Sequence, residues 1–262
     1  MKIHQIYTDS QLRNFTYILE LNNKSAYVID PWNDDIVNDL LKKEKLTLTA
    51  IINTHEHWDH TQGNNALVNQ HQCEVWAHSN GAGKIPGLSR MLLSNEKIEL
   101  EQDVIIEVLD TPGHCQAHLC FIVYHHNYPT HIFTGDILFN AGVGNCHDGD
   151  VSDMYETIQE KFTSLPDDII ILPGHEYLKN NLNFTLSREP SNKTARLWLD
   201  KHKKSDIYSC PLTTTMGDER KINTFFRLEN KEIIENLPNK YTDKDYCKKD
   251  VFISLRTLRD DW

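Results

Sequence analysis

The sequence predicts an α/β domain followed by a smaller, mostly helical one, and three observations point that way. Short apolar runs of strand length alternate with segments of helical periodicity as far as about residue 175. From about residue 178 the strand signals fade and helical segments dominate. Within the first part, four strand ends carry side chains of metal-binding type.

Residues 2–7, 14–21 and 25–30 read as strands, with Asn22-Asn23-Lys24 as the hairpin turn between the second and third. Asp30-Pro31-Trp32-Asn33 breaks the run. Ile36, Val37, Leu40 and Leu41 then recur at helical spacing over 34–45. A strand at 48–53 delivers the chain to a histidine cluster, followed by a helix from about Thr61 to Gln72 and a strand at 74–77. Residues 78–91, with Gly81, Gly83, Pro86 and Gly87, read as an irregular loop. Strands at 97–100 and 104–109 lead into Asp110-Thr111-Pro112-Gly113-His114, and strands at 118–124 and 131–134 end in Gly135-Asp136. A glycine-rich loop (141–149), a helix over 151–164 and the strand Ile169-Ile170-Ile171-Leu172 bring the chain to Pro173-Gly174-His175. Helices are expected at 178–188, 191–204, 231–236 and 244–258, with Pro190 and Pro211 as breaks and the domain boundary near 175–178.

A chain of 262 residues can bury a sizeable core, and its composition is that of an ordinary globular protein. The net charge of −11 argues against a general nucleic-acid or membrane-surface binder. No apolar run reaches the ~18 residues of a membrane span, and no long apolar stretch follows Met1-Lys2-Ile3-His4-Gln5, so neither a span nor a signal peptide is expected. Cys73, Cys115, Cys120, Cys146, Cys210 and Cys247 form no Cys-x-x-Cys pair and are expected as reduced thiols in the cell interior.

The chemistry concentrates in Thr54-His55-Glu56-His57-Trp58-Asp59-His60, with three imidazoles and two carboxylates in six consecutive residues. Such side chains bind borderline divalent metals. The residue four after His55 is Asp59, so the helical His-Glu-x-x-His zinc motif is absent. His114, Asp136 and His175 recur at later strand ends, each beside a glycine that lets backbone turn sharply. Seven donors exceed one tetrahedral zinc and suit two ions sharing a carboxylate. Such a pair makes a bridging water acidic enough to ionise near neutrality, so the expected reaction class is hydrolysis.

Those motifs, with Gly113-His114, Gly135-Asp136-Ile137-Leu138-Phe139, Gly174-His175-Glu176-Tyr177, and the closing Leu255-Arg256-Thr257-Leu258-Arg259-Asp260, resemble the metallo-β-lactamase superfamily. Within it the chain is most similar to glyoxalase II, the hydroxyacylglutathione hydrolases, along essentially its whole length. The resemblance implies a four-layer αββα sandwich over residues 1–175 and a helical glutathione-binding domain over 176–262. It implies that His55, His57 and His114 hold one metal, that Asp59, His60 and His175 hold the other, and that Asp136 bridges. Asp59 and Asp136 are thereby the expected catalytic carboxylates. Zinc is the expected ion, with iron and manganese also found in the family; Glu56 and Trp58 occupy variable positions and are not expected as ligands. The implied reaction is attack of a bridging hydroxide on S-D-lactoylglutathione, giving D-lactate and glutathione in methylglyoxal detoxification, in a cytoplasmic monomer.

Glutathione is an anion, so an acidic chain needs a local cationic site. Lys240, Lys244, Lys248, Lys249, Arg256 and Arg259 outnumber Asp243, Asp245 and Asp250 over residues 240–259. Arg256 and Arg259, three apart, are expected on one helical face, gripping a carboxylate together. They match the family's two cationic glutathione positions, and Tyr177 matches a glutathione-contacting tyrosine. One departure stands out. Where the family commonly reads Gly-Lys-Phe-Tyr or Gly-Arg-Leu-Phe, this chain reads Gly144-Asn145-Cys146-His147, so Asn145 and His147 replace a cation and an aromatic in the expected substrate pocket. Cys146 is expected as a loop residue rather than a nucleophile. Ala117 replaces a frequent glycine with no expected loss, and His118 is expected in a supporting role.

Three other readings compete. A mononuclear-iron persulfide dioxygenase would use His55, His114 and Asp136 with open positions for oxygen. A hydrolase of a different thioester, and a non-catalytic metal-binding scaffold whose glutathione pocket has decayed, complete the set.

Overall fold

A computed structural model describes residues 1–238 and 247–262. Two mixed sheets stack face to face, with helices on both outer sides. The first sheet runs in chain order: β1 (Lys2–Tyr7), β2 (Phe15–Glu20), β3 (Ser25–Ile29), then, after helix α1 (Asp34–Glu44), β4 (Thr47–Ile52). Helices α2 (Trp58–Thr61) and α3 (Asn64–His71) precede its last strands, β5 (Glu74–His78) and β6 (Arg90–Leu92). The pairs β1–β2 and β2–β3 are antiparallel, and β3 through β6 are parallel.

The second sheet contains β7 (Lys97–Glu101), β8 (Val104–Asp110), β9 (Leu119–His125) and β10 (Tyr128–Gly135), followed in the chain by a two-strand ribbon, β11 (Leu138–Phe139) and β12 (Gly142–Val143). Helix α4 (Val151–Thr157) runs into a π-helical turn, Ile158–Phe162, before β13 (Ile170–Pro173), which pairs parallel with β10. The rest is helical: α5 (Leu178–Arg188), α6 (Lys193–His202), α7 (Met216–Ile222), α8 (Lys231–Glu235) and α9 (Lys248–Asp260).

Period-two alternation builds the layers. Phe15, Tyr17 and Leu19 of β2 and Ala50 and Ile52 of β4 meet Val108, Phe121, Val123 and Phe133 of the second sheet, forming the core between sheets. The opposite faces of the same strands, Ile18, Val28 and Ile51, pack under Val37, Leu41 and Leu67 of α1 and α3. On the other side, Cys120, Ile122 and Ile171 pack against Met154, Phe162, Phe225, Val251, Phe252 and Leu255. The C-terminal helices therefore share a core with the second sheet, and α9 lies against α4.

The structure corrects several boundaries. The helix expected from Thr61 to Gln72 is broken, because Gly63 donates its N–H to Pro31 O (2.9 Å) instead of continuing the helical ladder. The loop expected at 78–91 contains most of β6, which exists by pairing with β5, and the loop expected at 141–149 contains β12. Helix α7 had no expectation, although the Thr215–Asp218 capping box marks its start. The last helix begins at Lys248 among the described residues; the start expected at residue 244, with Lys240, Asp243, Lys244 and Asp245, lies outside them.

Candidate metal centre

The parallel strands of the first sheet and the β10–β13 pair of the second end on the same side, and the donors sit where they end. Strand β4 runs into Asn53-Thr54-His55, and α2 follows at once, turning Asp59 and His60 inward. Strand β10 ends at Gly135, β13 at Pro173, and His114 lies in the connection between β8 and β9. Tight backbone approach is required here. Gly135 adopts φ +46° against Thr54, and a Cβ at Gly174 would collide with Asp136 Oδ1 and His60.

All seven expected ligands come together. His55, His57 and His114 offer nitrogens within 4.8 Å of one another, and Asp59, His60 and His175 form a second such group. Asp136 stands between them: Oδ2 is 3.1 Å from His175 Nε2 and 3.7 Å from His114 Nε2, and Oδ1 is 3.4 Å from His60 Nε2. Except for half-buried His57, the seven are buried.

Hydrogen bonds on the outer ring edges fix which nitrogens point inward. His114 Nδ1 donates to Asn145 O (2.8 Å) and His175 Nδ1 to Leu12 O (2.8 Å). His60 Nδ1 meets Asp30 Oδ2 (3.0 Å), and His57 Nε2 meets Asp148 Oδ2 (3.0 Å). Thr54 donates its hydroxyl to Asp30 Oδ2 (2.6 Å) and so accepts from His55 Nδ1 (2.9 Å). Each imidazole is left presenting its other nitrogen to the centre, at 3.0 Å between His55 and His57, 2.9 Å between His57 and His114, and 3.2 Å between His60 and His175. Lone pairs held that close repel unless a cation lies among them. Asp136 Oδ1 is also buried without a hydrogen-bond donor among the described residues. This donor set fits divalent metal ions.

The electrostatics agree. Burial, then the nearness of His60, pushes His55 well below the usual imidazole range, and burial also lowers His114. Burial opposes a charge on His60, but Asp136 and Asp30 outweigh it and raise its pKa well above the usual range, so positive charge is favoured at this spot. Burial would raise Asp59, yet His60 brings it to about 2, and Asp136 is held well below the carboxylate range by His175 and His60 against the same penalty.

Three supporting groups had no expected role. Asp30 accepts from Thr54 N–H (2.8 Å) as well as orienting His60. Asn14 donates to Asp59 Oδ2 (2.8 Å), and Asp148 orients His57. The clue to Asp30 was its place at the end of a parallel strand, the same location that marked the ligands. His118 fills its expected supporting role: its Nε2 accepts from the backbone N–H of Asp136 (3.1 Å), and its Nδ1 is 2.8 Å from Thr111 Oγ1. Glu56 pairs with Lys84 (2.6 Å), and Trp58 faces solvent.

Beside the centre lies a cavity of about 230 Å³ walled by Tyr177, Arg256, Arg259, Asn145 and His147 together with Phe139. The Tyr177 ring stacks on His175 with centroids 5.0 Å apart, and its hydroxyl donates to Leu12 O. The expected joint grip by two free arginines needs correction. Arg256 is buried, and its guanidinium donates to Val143 O (3.1 Å), Gly144 O (2.7 Å) and Asp260 Oδ1 (2.8 Å), so it braces the wall of the cavity. Arg259 donates to Asn181 Oδ1 (3.1 Å) and is the more exposed of the two. Lys248 and Lys249 are paired with Glu229 and Glu156 away from the cavity. Cys146 is raised to about 12 by burial, which suits a packed loop residue. All six cysteines are unpaired.

Residues 11–175 match the family model of the metallo-beta-lactamase superfamily, and residues 176–262 match the model of the hydroxyacylglutathione hydrolase C-terminus. A hydroxyacylglutathione hydrolase from Nitrosococcus oceani is 39% identical and one from Polaromonas sp. 37% identical, each alignment covering 100% of both chains. Among solved structures, ETHE1 from Myxococcus xanthus superposes with a TM-score of 0.67, covering 98% of this chain and 99% of that one. At 23% identity that likeness speaks to the fold alone, the metallo-β-lactamase sandwich with a helical C-terminal region.

Proposed function

Because the chain belongs to the hydroxyacylglutathione hydrolase family of the metallo-β-lactamase superfamily, we propose that it hydrolyses S-D-lactoylglutathione and related glutathione thioesters. Water supplies the oxygen of the new C–O bond, the C–S bond breaks, and the products are a 2-hydroxy acid and glutathione. The observation that carries this reading is the set of imidazole nitrogens converging around Asp136, next to a cavity walled by Tyr177 and Arg259.

His55, His57 and His114 would hold one divalent ion, Asp59, His60 and His175 the other, with Asp136 shared between them; zinc is the proposed metal. Such a pair, when bound, supplies Lewis acidity toward the thioester carbonyl and lowers the pKa of water to near neutral. The chain's own residues do the rest. Asp59, lowered to about 2, stays ionised throughout the neutral range, and Asn14 fixes its orientation. Asp30, Thr54, Asp148 and the carbonyls of Asn145 and Leu12 hold the imidazoles in the tautomers that face inward. Arg259 supplies the cationic charge that an anionic thiol needs, and the rings of Phe139 and Tyr177 form an apolar wall.

In this proposal residues 1–175 contribute the metal centre and the Phe139, Asn145 and His147 side of the glutathione-facing wall, and residues 176–262 its Tyr177, Arg256 and Arg259 side, in a cytoplasmic monomer. No described helix is long and apolar enough to cross a membrane. The deciding experiment is hydrolysis of S-D-lactoylglutathione, followed by loss of the thioester's ultraviolet absorbance, with metal content measured on the same sample. Turnover proportional to bound metal is expected. A fully metallated preparation that leaves every glutathione ester untouched would overturn the reading.

A further inference from the structure

Arg13 stands on the surface beside the metal centre and is not one of its donors. It closes a tight turn: its N–H donates to Ser10 O (3.0 Å), and its backbone is left-handed, at φ +62°. A residue with a Cβ keeps that conformation only where the surroundings hold it there. The hold comes from Glu176, the residue after His175. Arg13 Nε donates to Glu176 O (2.9 Å) and Oε2 (3.1 Å), Nη2 donates to the same carboxylate oxygen, and Glu176 N–H donates back to Arg13 O (2.9 Å). Glu176 is 8% exposed, and its Oε1 lies 3.1 Å from Nε2 of His202 on α6. An ion pair in open solvent contributes little, but this one neutralises a carboxylate that the fold has taken out of water.

The two residues flanking Arg13 reach one and the same group of donors. Leu12 O accepts from His175 Nδ1 (2.8 Å) and from the Tyr177 hydroxyl (2.9 Å). Asn14 Nδ2 donates to Asp59 Oδ2 (2.8 Å) and to Asp59 O (3.3 Å). Asp59 and His175 belong, with His60, to one of the two ligand groups. The other group, His55, His57 and His114, is oriented by Thr54, Asp148 and Asn145 O, none of them on this segment. Whatever fixes residues 12–14 therefore acts on one half of the centre.

We propose that Arg13 is a positioning residue for the ion held by Asp59, His60 and His175. Its clamp on Glu176 keeps Leu12 O and Asn14 Nδ2 where they aim His175 and Asp59, and the ion of His55, His57 and His114 does not depend on it. The inference rests on the two-ion reading above and adds an unequal dependence of the two sites on one surface side chain.

The test loads wild type, Arg13→Ala, Arg13→Gly and Arg13→Lys with zinc and titrates each with a competing chelator, counting the ions retained per chain. Wild type should hold two. Arg13→Ala should keep one at wild-type affinity, which also shows the fold intact, and hold the other about tenfold more weakly. Turnover of S-D-lactoylglutathione by this variant should return when free zinc is raised by the same factor. Arg13→Gly suits the left-handed backbone but lacks the guanidinium, so it should lose the same ion. Arg13→Lys keeps a charge opposite Glu176 and should recover much of the affinity. If Arg13→Ala holds both ions as wild type does, or loosens both alike, Arg13 is not a positioning residue and the two-ion reading stands. Recovery by Arg13→Gly would assign the effect to the backbone turn and overturn the clamp. A wild type that binds fewer than two ions removes the two-ion reading and this proposal with it.

Discussion

His175 Nε2 lies 3.1 Å from Asp136 Oδ2 because β13 and β10 are parallel neighbours, with Gly135 opposite Pro173. A parallel pair brings two strand ends to one level, and each strand then delivers its next polar residue to the same place. Asp136 is the only one of the seven donors whose carboxylate faces both histidine groups.

Asp136→Ala is therefore expected to lose metal and turnover together, and turnover should fall by more than the roughly 10- to 100-fold that follows loss of an outer partner. Metal analysis and the thioester assay on one preparation check this. Normal metal content with full activity would remove Asp136 from the shared position.

The seven donors were legible because they stand at the ends of apolar runs, four in one cluster and three (His114, Asp136, His175) each beside a glycine, and one-dimensional pattern marks such junctions well. The strand carrying Phe15, Tyr17 and Leu19 was equally visible, but not the sheet it faces. What escaped depends on partners distant in sequence. The three residues of β6 and the two of β12 are too short to announce themselves and form by pairing. Asn14 opens an expected strand and Asp30 closes another, and neither shows a role until the fold sets them against Asp59 and His60. The role of Arg256 depended on burial against residues 143–144, which helical spacing does not reveal.

Asp30 gives a second prediction. It accepts from Thr54 N–H, Thr54 Oγ1 and His60 Nδ1, so it orients two imidazoles without facing the centre itself. Asp30→Asn should weaken metal affinity by about 10- to 100-fold, measured by competition with a chelator. An unchanged affinity would reduce Asp30 to a structural turn.

Arg256 braces the Val143–Gly144 backbone from inside α9. Its removal strands two buried carbonyls, at a cost of about 2–3 kcal/mol in all. Arg256→Ala should show that loss in urea denaturation and also a raised KM, because the loop it holds carries Asn145 and His147 into the cavity. A stability loss with unchanged KM would separate the brace from substrate binding.

Glu219 makes stability depend on pH. This carboxylate is fully buried, accepts from Ala141 N–H, Thr214 Oγ1 and Asn223 Nδ2, and is raised by burial from 4.5 to about 7. Between those values the folded state holds a proton that the unfolded chain has released, so stability falls as pH rises through that window and levels off above it. Glutamine does not titrate. The stability of Glu219→Gln relative to wild type should therefore improve by about 2–3 kcal/mol between roughly pH 5 and pH 8. Denaturation curves at both pH values test this, and a constant difference would contradict it.

Asn145 stands exposed on the cavity wall, its carbonyl accepting from His114 Nδ1 and its side-chain oxygen from His147 N–H. Arg259 shares that wall, so an ammonium at position 145 would add a second positive charge facing the same anionic ligand. Because the backbone makes the bond to His114, the substitution leaves that imidazole's orientation intact. Asn145→Lys should lower KM for glutathione thioesters by about two- to fivefold, the size of a solvent-exposed ionic contact. The gain should shrink as ionic strength rises, since screening acts on exposed charge over about 10 Å at 0.1 M salt. Steady-state kinetics at low and high salt measure both effects. A KM unmoved at low salt would mean that the thiol's carboxylates do not lie against this wall, and the glutathione pocket would have to be sought elsewhere.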